Sequence, residues 1–140
     1  MHPGEGEVIP FELGQRFTAH YVVDEAAHAA FIALSGDRNP LHTDADFASS
    51  NGFAGKVMHG NILCAFLSHA IGMLLPTPNV IIHTQEIAFV APVYAGDRLA
   101  WEATVDNVSV AVRAVGMKFR FRNHAGTLVA RGRFQIGVLS

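Results

Sequence analysis

Residues 62–75 read ILCAFLSHAIGMLL, and this stretch decides the fold because it is apolar on nearly every face of a helix. His59-Gly60-Asn61 precede the stretch and Pro76 follows it, so the sequence predicts a long helix from about residue 59 to Leu75. A helix of this kind must be surrounded by protein. It is also shorter than the roughly 20 apolar residues that span a bilayer, so we expect no membrane-spanning segment.

Segments with strand character lie on both sides of this helix. The predicted strands are Arg16–Val23, Val80–Val90, Asp97–Val108, Ser109–Asn123 and Thr127–Val138. Alternation is cleanest in Met117–Arg122, where Met117 and two phenylalanines share one face and three cations share the other. Asn107 and residues 123–126 have turn chemistry, which is typical of a meander of antiparallel strands.

A second helix, amphipathic this time, is predicted directly after the first strand. Asp24 can cap its start and Gly36 ends it. Its predicted buried stripe consists of Ala27, Ala30, Phe31 and Leu34. Beyond the loop that follows, Thr43 or Asp44 can cap a short helix through Ser49.

One apolar helix beside a long antiparallel sheet is an α+β layout. We expect the sheet to be curved and to wrap around the helix, which then fills its concave face. The length of 140 residues predicts one domain, spanning residues 1–140, with an irregular leader over residues 1–14. This leader lacks the cationic start and apolar stretch of a signal peptide.

The composition limits the partners. Half of the residues are hydrophobic and 16% are charged, so we expect apolar surface to be buried between subunits of a homodimer or higher homo-oligomer. A net charge of −2 with dispersed cations predicts neither a nucleic-acid partner nor a membrane surface as partner. The single cysteine, Cys64, fits a reducing, cytoplasmic location.

The loop Ser35-Gly36-Asp37-Arg38-Asn39-Pro40-Leu41-His42 carries the candidate chemistry. Proline fixes its own backbone and biases Asn39 toward an extended conformation, which lets Asp37 and His42 converge. A carboxylate and an imidazole that share one water can take a proton from it and return a proton elsewhere. Taken singly, Asp37 and Asn39-Pro40 are better explained as turn residues and His42 as an ordinary histidine, so the catalytic interpretation depends on their occurring together in one loop.

The motifs together resemble a known family. The run Leu34–Asp44 is similar to the hydratase 2 signature of MaoC-like proteins, the R-specific enoyl-CoA hydratases of the hot-dog fold. The likeness continues through Met58-His59-Gly60 and through Phe89–Asp97, so it covers the chain from about Phe17 to Phe134. It implies the hot-dog fold and the reversible syn addition of water to a trans-2-enoyl-CoA, which gives an (R)-3-hydroxyacyl-CoA.

The resemblance also implies roles for particular residues. Asp37 and His42 would hold the reacting water and move protons, and the Asn39 amide would orient the site. The backbone N–H of Gly60 would polarise the thioester carbonyl, at a helix start where N–H groups are unpaired and the helix dipole is positive.

The resemblance implies substrate contacts for His59, Asn61 and Ser68. Ser68 matches a position that lines the family's active site. The alternative is that its hydroxyl makes only a local hydrogen bond to the backbone of its own helix. Asn61 is a departure, because the family usually has a larger apolar residue there, and this puts the substrate range in question.

No metal is predicted, since Asp37, His42 and His59 lack a tight ligand spacing. No cofactor is implied beyond the CoA of the substrate.

Three alternatives stay open at this point. The same residues could act on another acyl thioester, either a branched hydroxy-dicarboxylyl-CoA or an acyl group on a carrier protein. A hot-dog thioesterase would place its carboxylate on the long helix, yet Ile62–Leu75 contains no acidic residue. The third alternative is a non-catalytic acyl-CoA-binding domain.

Overall fold

The computed structural model describes residues 8–140, which form five strands and four helices. In chain order these are β1 (Arg16–Val23), α1 (Glu25–Ser35), α2 (Pro40–Thr43), α3 (Ala45–Ser50), α4 (Ile62–Met73), β2 (Val80–Phe89), β3 (Asp97–Ser109), β4 (Ala114–Asn123) and β5 (Leu128–Val138). No helix of this described part is long and apolar enough to cross a bilayer.

All five strands belong to one sheet with the order β1-β3-β4-β5-β2, and every neighbouring pair is antiparallel. The meander predicted for β3, β4 and β5 is therefore confirmed. Strands β1, β2, β3 and β5 begin and end within one residue of their predicted bounds. The α+β class is confirmed as well.

Two details of the predicted sheet are wrong. Asn107 lies inside β3, where the register with β4 shifts, and it does not form a turn. The β3–β4 connection runs through residues 110–113 instead, and Arg113 adopts a positive φ of 52° there. Strand β4 consequently begins at Ala114 and not at Ser109, because this connection consumes the residues between them.

The core lies between α4 and one face of the sheet. Leu63, Leu67 and Ile71 of α4 are buried in one cluster with the inward-facing residues of the strands. The largest of these strand residues are Trp101, Met117, Phe119, Phe121 and Phe134. The predicted alternation in β4 is confirmed, since Lys118 and Arg120 are exposed on the opposite face.

Helix α4 is less enclosed than its composition predicts. Ala65, Ser68 and His69 are exposed, and Met73 is 72% exposed. The sheet and α1 cover only part of the helix circumference within one protomer, so its remaining face is open. The helix also ends at Met73, two residues before the predicted Leu75.

Helix α1 has the predicted ends but only part of the predicted buried stripe, since Ala27 and Phe31 pack against the core while Ala30 is exposed. The Asp24 carboxylate accepts a hydrogen bond from the Ala27 N–H at 2.8 Å, and Gly36 ends the helix in the left-handed conformation. Leu34, however, is 87% exposed, and the buried residue of α1 is His28. The helix meets the start of α4 along one side only, which leaves Leu34 in solvent.

The predicted leader lies only partly within the described structure. Residues 1–7 are outside the described residues, and residues 8–14 form neither helix nor strand. Phe11 is nevertheless buried in the core, and the N–H of Gly14 donates to the carbonyl of Val105 at 2.8 Å. This part of the predicted leader is therefore packed against the sheet.

We predict that Gly132→Ala destabilises the fold. A Cβ at Gly132 would lie 1.9 Å from the carbonyl oxygen of Glu86 on the neighbouring β2, so the two strands would have to separate. We expect the free energy of unfolding in urea to fall by about 1–3 kcal/mol. Gly55→Ala is the control, since a Cβ there meets no atom within 4 Å. Equal stability of the two variants would contradict the prediction.

Candidate active site

Local hydrogen bonds fix the shape of the loop between α1 and α3. The Asp37 carboxylate accepts from the N–H of Asn39 at 3.0 Å, and the Asn39 side-chain oxygen accepts from the N–H of Leu41 at 2.9 Å. Asn39 thereby caps α2, and Pro40 occupies the first turn, where its missing N–H costs nothing. Asn39 is thus bonded to Asp37 on one side and to the helix that carries His42 on the other.

The ring of His42 is oriented by the backbone of a distant segment. Its Nδ1 lies 2.7 Å from the carbonyl oxygen of Val57. Because a carbonyl can only accept, Nδ1 carries the hydrogen in this bond. In the neutral ring, Nε2 then holds a free lone pair that can accept a proton.

His59 lies beneath this pair and connects it to the start of α4. Its ring is buried, stacks on His42 with centroids 4.0 Å apart, and places Nε2 2.9 Å from the carbonyl oxygen of Asp37. Burial lowers the pKa of His59, and the Asp37 carbonyl opposes this with a smaller effect. His59 is therefore neutral near pH 7, and its one hydrogen is on Nε2.

The three side chains converge on one point. One nitrogen of each ring and one carboxylate oxygen of Asp37 all lie within 4.8 Å of one another. Two hydrogen bonds of about 2.8 Å can bridge such a separation, so one water can contact both Asp37 and His42. The Asp37 side chain is 45% exposed, so solvent can reach it.

The same three side chains offer the donor types of a metal site. Nε2 of His59 is the ring nitrogen near the Asp37 carboxylate, at 3.9 Å, and a cation bound there would need the lone pair of an atom that donates a hydrogen to the Asp37 backbone carbonyl. The donor set therefore fits a cation only after that hydrogen bond is broken. The absence of a metal stays a prediction.

A cavity of about 380 Å³ opens beside His42. Its walls are mostly apolar and include Phe53, Val57, Phe89, Val90 and Pro92, together with Gly60 and Asn61 from the start of α4. A Cβ at Gly60 would lie 2.9 Å from the Phe89 ring, so glycine permits this close approach. The cavity therefore joins His42 to a helix start that is suited to a developing negative charge.

The structure places the predicted site residues in two groups. Asp37, Asn39, His42 and His59 meet in the loop region, while Gly60 and Asn61 line the cavity. Asn61 also lies 3.7 Å from the Cys64 thiol, as the acceptor. The cavity lining includes His42 but not Asp37, Asn39, His59 or Ser68, and Ser68 lies on the exposed face of α4. The roles of these residues in catalysis and substrate binding stay predictions.

Two contributors were not found from the sequence. One is the backbone carbonyl of Val57, which carries no sequence signal because any residue could supply it. The other is His28, whose buried ring lies 5.4 Å from that of His59, centroid to centroid. Its spacing of three residues from Phe31, which also contacts His59, is the signal that could have indicated a shared face.

Known proteins resemble this chain over most of its length. A family model described as "MaoC like domain" matches residues 10–124. The (R)-specific enoyl-CoA hydratase of Aeromonas caviae is 32% identical over 121 residues, which are 86% of this chain and 90% of that relative.

Solved structures agree in fold. The structure described as an (R)-hydratase from A. caviae matches with a TM-score of 0.86 at 30% identity, over 94% of this chain and 99% of that one. R-hydratase PhaJ1 from Pseudomonas aeruginosa gives a TM-score of 0.84 at 35% identity, over 93% and 83%. The predicted hot-dog fold is therefore confirmed.

We predict that His59 makes stability depend on pH. Its folded-state pKa lies below the usual 6.5, so the unfolded chain binds more protons as the pH falls through this region. The contribution of His59 is therefore present above pH 6.5 and is lost as the pH drops toward the folded pKa. His59→Gln keeps a donor for the Asp37 carbonyl without titrating.

The measurement is the free energy of unfolding in urea from pH 8 to pH 5 for both proteins. We expect the wild-type curve to fall more steeply below pH 6.5, by at most about 1.4 kcal/mol per pH unit for one proton. Parallel curves for the two proteins would contradict this assignment.

Proposed function

Because the chain belongs to the MaoC-like domain family, we propose that it is an (R)-specific enoyl-CoA hydratase. The reaction is the reversible addition of water to a trans-2-enoyl-CoA, which yields an (R)-3-hydroxyacyl-CoA. One observation carries the proposal: the carboxylate of Asp37 and the ring of His42 lie within reach of one water, beside a cavity that ends at Gly60.

In the proposed reaction Asp37 and His42 share the work on one water molecule. The water oxygen bonds to C3 of the enoyl group while one of the two side chains accepts a proton from it. A proton from the pair then goes to C2, so that one H and one OH are added and the enzyme returns to its starting state. The free lone pair on Nε2 of His42 makes it an able acceptor in this scheme.

Negative charge develops on the thioester oxygen before C2 is protonated. We place that oxygen against the N–H of Gly60, where the positive end of the α4 dipole adds to the hydrogen bond. The apolar lining, with Phe53 and Phe89, suits an acyl thioester and excludes bulk water from the charge. A thioesterase reaction has less support, because α4 carries no acidic residue for that purpose.

We also propose that the protein forms a homodimer through β2. This strand lies at the edge of the sheet and pairs only with β5, which leaves its other side available for a second copy. Exposed apolar side chains surround that edge: Met73, Leu74, Ile81, Ile82 and Phe89. Pairing of two β2 strands would cover them and continue the sheet from one protomer into the next.

The location we propose is the cytoplasm. Support comes from Cys64, which is a free thiol and so suits a reducing compartment. Cell fractionation tests it.

We predict that Asp37→Asn and His42→Ala each lower kcat for hydration of crotonyl-CoA by about 10²–10⁴-fold, because each removes one half of the proton-transfer pair. The measurement is the loss of absorbance of the enoyl thioester, with chiral analysis of the product. Lys118→Ala is the control, since this exposed cation lies on the face of β4 that points away from the core. Circular dichroism checks that both site variants are folded. Near-normal turnover by both of them would refute the assignment.

We predict that the double variant Ile81→Lys/Ile82→Lys converts the dimer to monomers, because four added charges would meet where two edges pair. Light scattering of the protein as it elutes from a size-exclusion column measures the molar mass, which distinguishes dimer from monomer. His20→Lys, on the opposite edge strand β1, should leave the dimer intact. A monomeric wild type, or a dimeric double variant, would contradict the proposed interface.

A further inference from the structure

Three histidine rings form a row that runs from α1 to the cavity. The His28 and His59 centroids are 5.4 Å apart, and the His59 and His42 centroids are 4.0 Å apart. Within residues 8–140, His28 and His59 are the buried polar residues, with 6% and 2% exposure. The proposed function uses His42 and, through the Asp37 carbonyl, His59, but it assigns nothing to His28.

Each of the two buried rings has one unpaired nitrogen. Nε2 of His28 and Nδ1 of His59 are inaccessible to solvent and have no hydrogen-bond partner among the described residues. A buried polar atom without a partner costs about 1–3 kcal/mol, and such atoms are rare in folded proteins. Two of them on adjacent rings point to one shared interaction.

The hydrogen on His59 decides which nitrogen is donor and which is acceptor. Nε2 of His59 faces the Asp37 carbonyl oxygen at 2.9 Å and must carry the hydrogen. Burial keeps this ring neutral by lowering its pKa, so Nδ1 holds a lone pair and needs a donor. If the hydrogen moved to Nδ1, two lone pairs would face each other at Nε2 and the Asp37 carbonyl.

His28 is placed to supply that donor. Its Nδ1 points toward the exposed Glu25, with 3.8 Å between Nδ1 and Oε2, and its Nε2 is the nitrogen enclosed by protein. Asp37 and His42, the other ionisable groups near His59, contact it from the opposite side of the ring row. The two unpaired nitrogens belong to adjacent rings, so a hydrogen on Nε2 of His28 is the available donor for Nδ1 of His59.

We propose that His28 is a positioning residue for the hydration reaction: its Nε2–H donates to Nδ1 of His59 through one buried water. The donation satisfies the lone pair of the His59 tautomer that holds the carbonyl of Asp37, and so stabilises the orientation of that ring. It thereby keeps the Asp37 carboxylate in place beside His42. The catalytic part of this inference rests on the proposed function, whereas the tautomer of His59 does not.

Two matched variants separate this role from simple packing. His28→Leu fills the site without a donor, while His28→Gln has a similar size and an amide N–H near the position of Nε2. Nitrogen-15 NMR of histidine-labelled protein reports which nitrogen of each ring is protonated, and comparison with His59→Gln assigns the His59 signals.

We expect the Nε2-protonated tautomer of His59 in the wild type and in both variants, because the Asp37 carbonyl sets it. The nitrogen-15 shift of His59 Nδ1 should match the wild type in His28→Gln and move downfield in His28→Leu, where this nitrogen loses its hydrogen bond. In the hydration assay, kcat of His28→Leu should fall about tenfold with little change in KM, which matches the loss of one hydrogen bond worth about 1.4 kcal/mol. His28→Gln should keep most of the wild-type kcat.

Several results would overturn the inference. One is a wild-type His59 protonated on Nδ1, which is decisive even if His28→Leu fails to fold. Another is an unchanged nitrogen-15 shift of His59 Nδ1 in His28→Leu, and a third is an equal loss of kcat in the Leu and Gln variants. If the wild type hydrates no enoyl-CoA, the proposed function fails, but the NMR comparison still decides the position of the hydrogen.

Discussion

The hydrogen bond from Nε2 of His59 to the carbonyl of Asp37 is the constraint on which the site depends. It joins residues 22 positions apart in the sequence and attaches the loop after α1 to the start of α4. Leu63 and Leu67 are buried in the core and hold α4 there. Because the loop is bonded to the start of α4, its position is fixed by the same packing. The second tie, from His42 to the carbonyl of Val57, spans 15 positions and fixes the other end of the loop.

This arrangement makes a short, exposed segment precise. Helix α2 has only four residues, and a helix of this length is not stable alone. The entropy lost when the first turn is ordered exceeds the stabilisation from its hydrogen bond. The Asn39 cap, Pro40 in the first turn and the bond from His42 to Val57 supply what the segment lacks. Each hydrogen bond is worth about 1 kcal/mol, so the orientation of His42 depends on several weak contacts acting together.

The sequence predicted the parts that depend on local pattern. The alternation in β4 and the cap and stop of α1 at Asp24 and Gly36 needed only neighbouring residues, and they were found. The predicted burial of α1 was right for Ala27 and Phe31 but wrong for Leu34, because it depends on which side of the helix meets α4: Leu34 is exposed and His28 is enclosed. The candidate catalytic loop was identified from a motif, whereas its link to His59 required the fold.

The account is tested most directly by a crystal structure of the protein with (R)-3-hydroxybutyryl-CoA bound. We expect the 3-hydroxyl oxygen to lie within hydrogen-bond distance of both the Asp37 carboxylate and Nε2 of His42. The thioester oxygen should face the N–H of Gly60. A hydroxyl out of reach of either side chain, or an acyl group bound outside the cavity, would contradict the account.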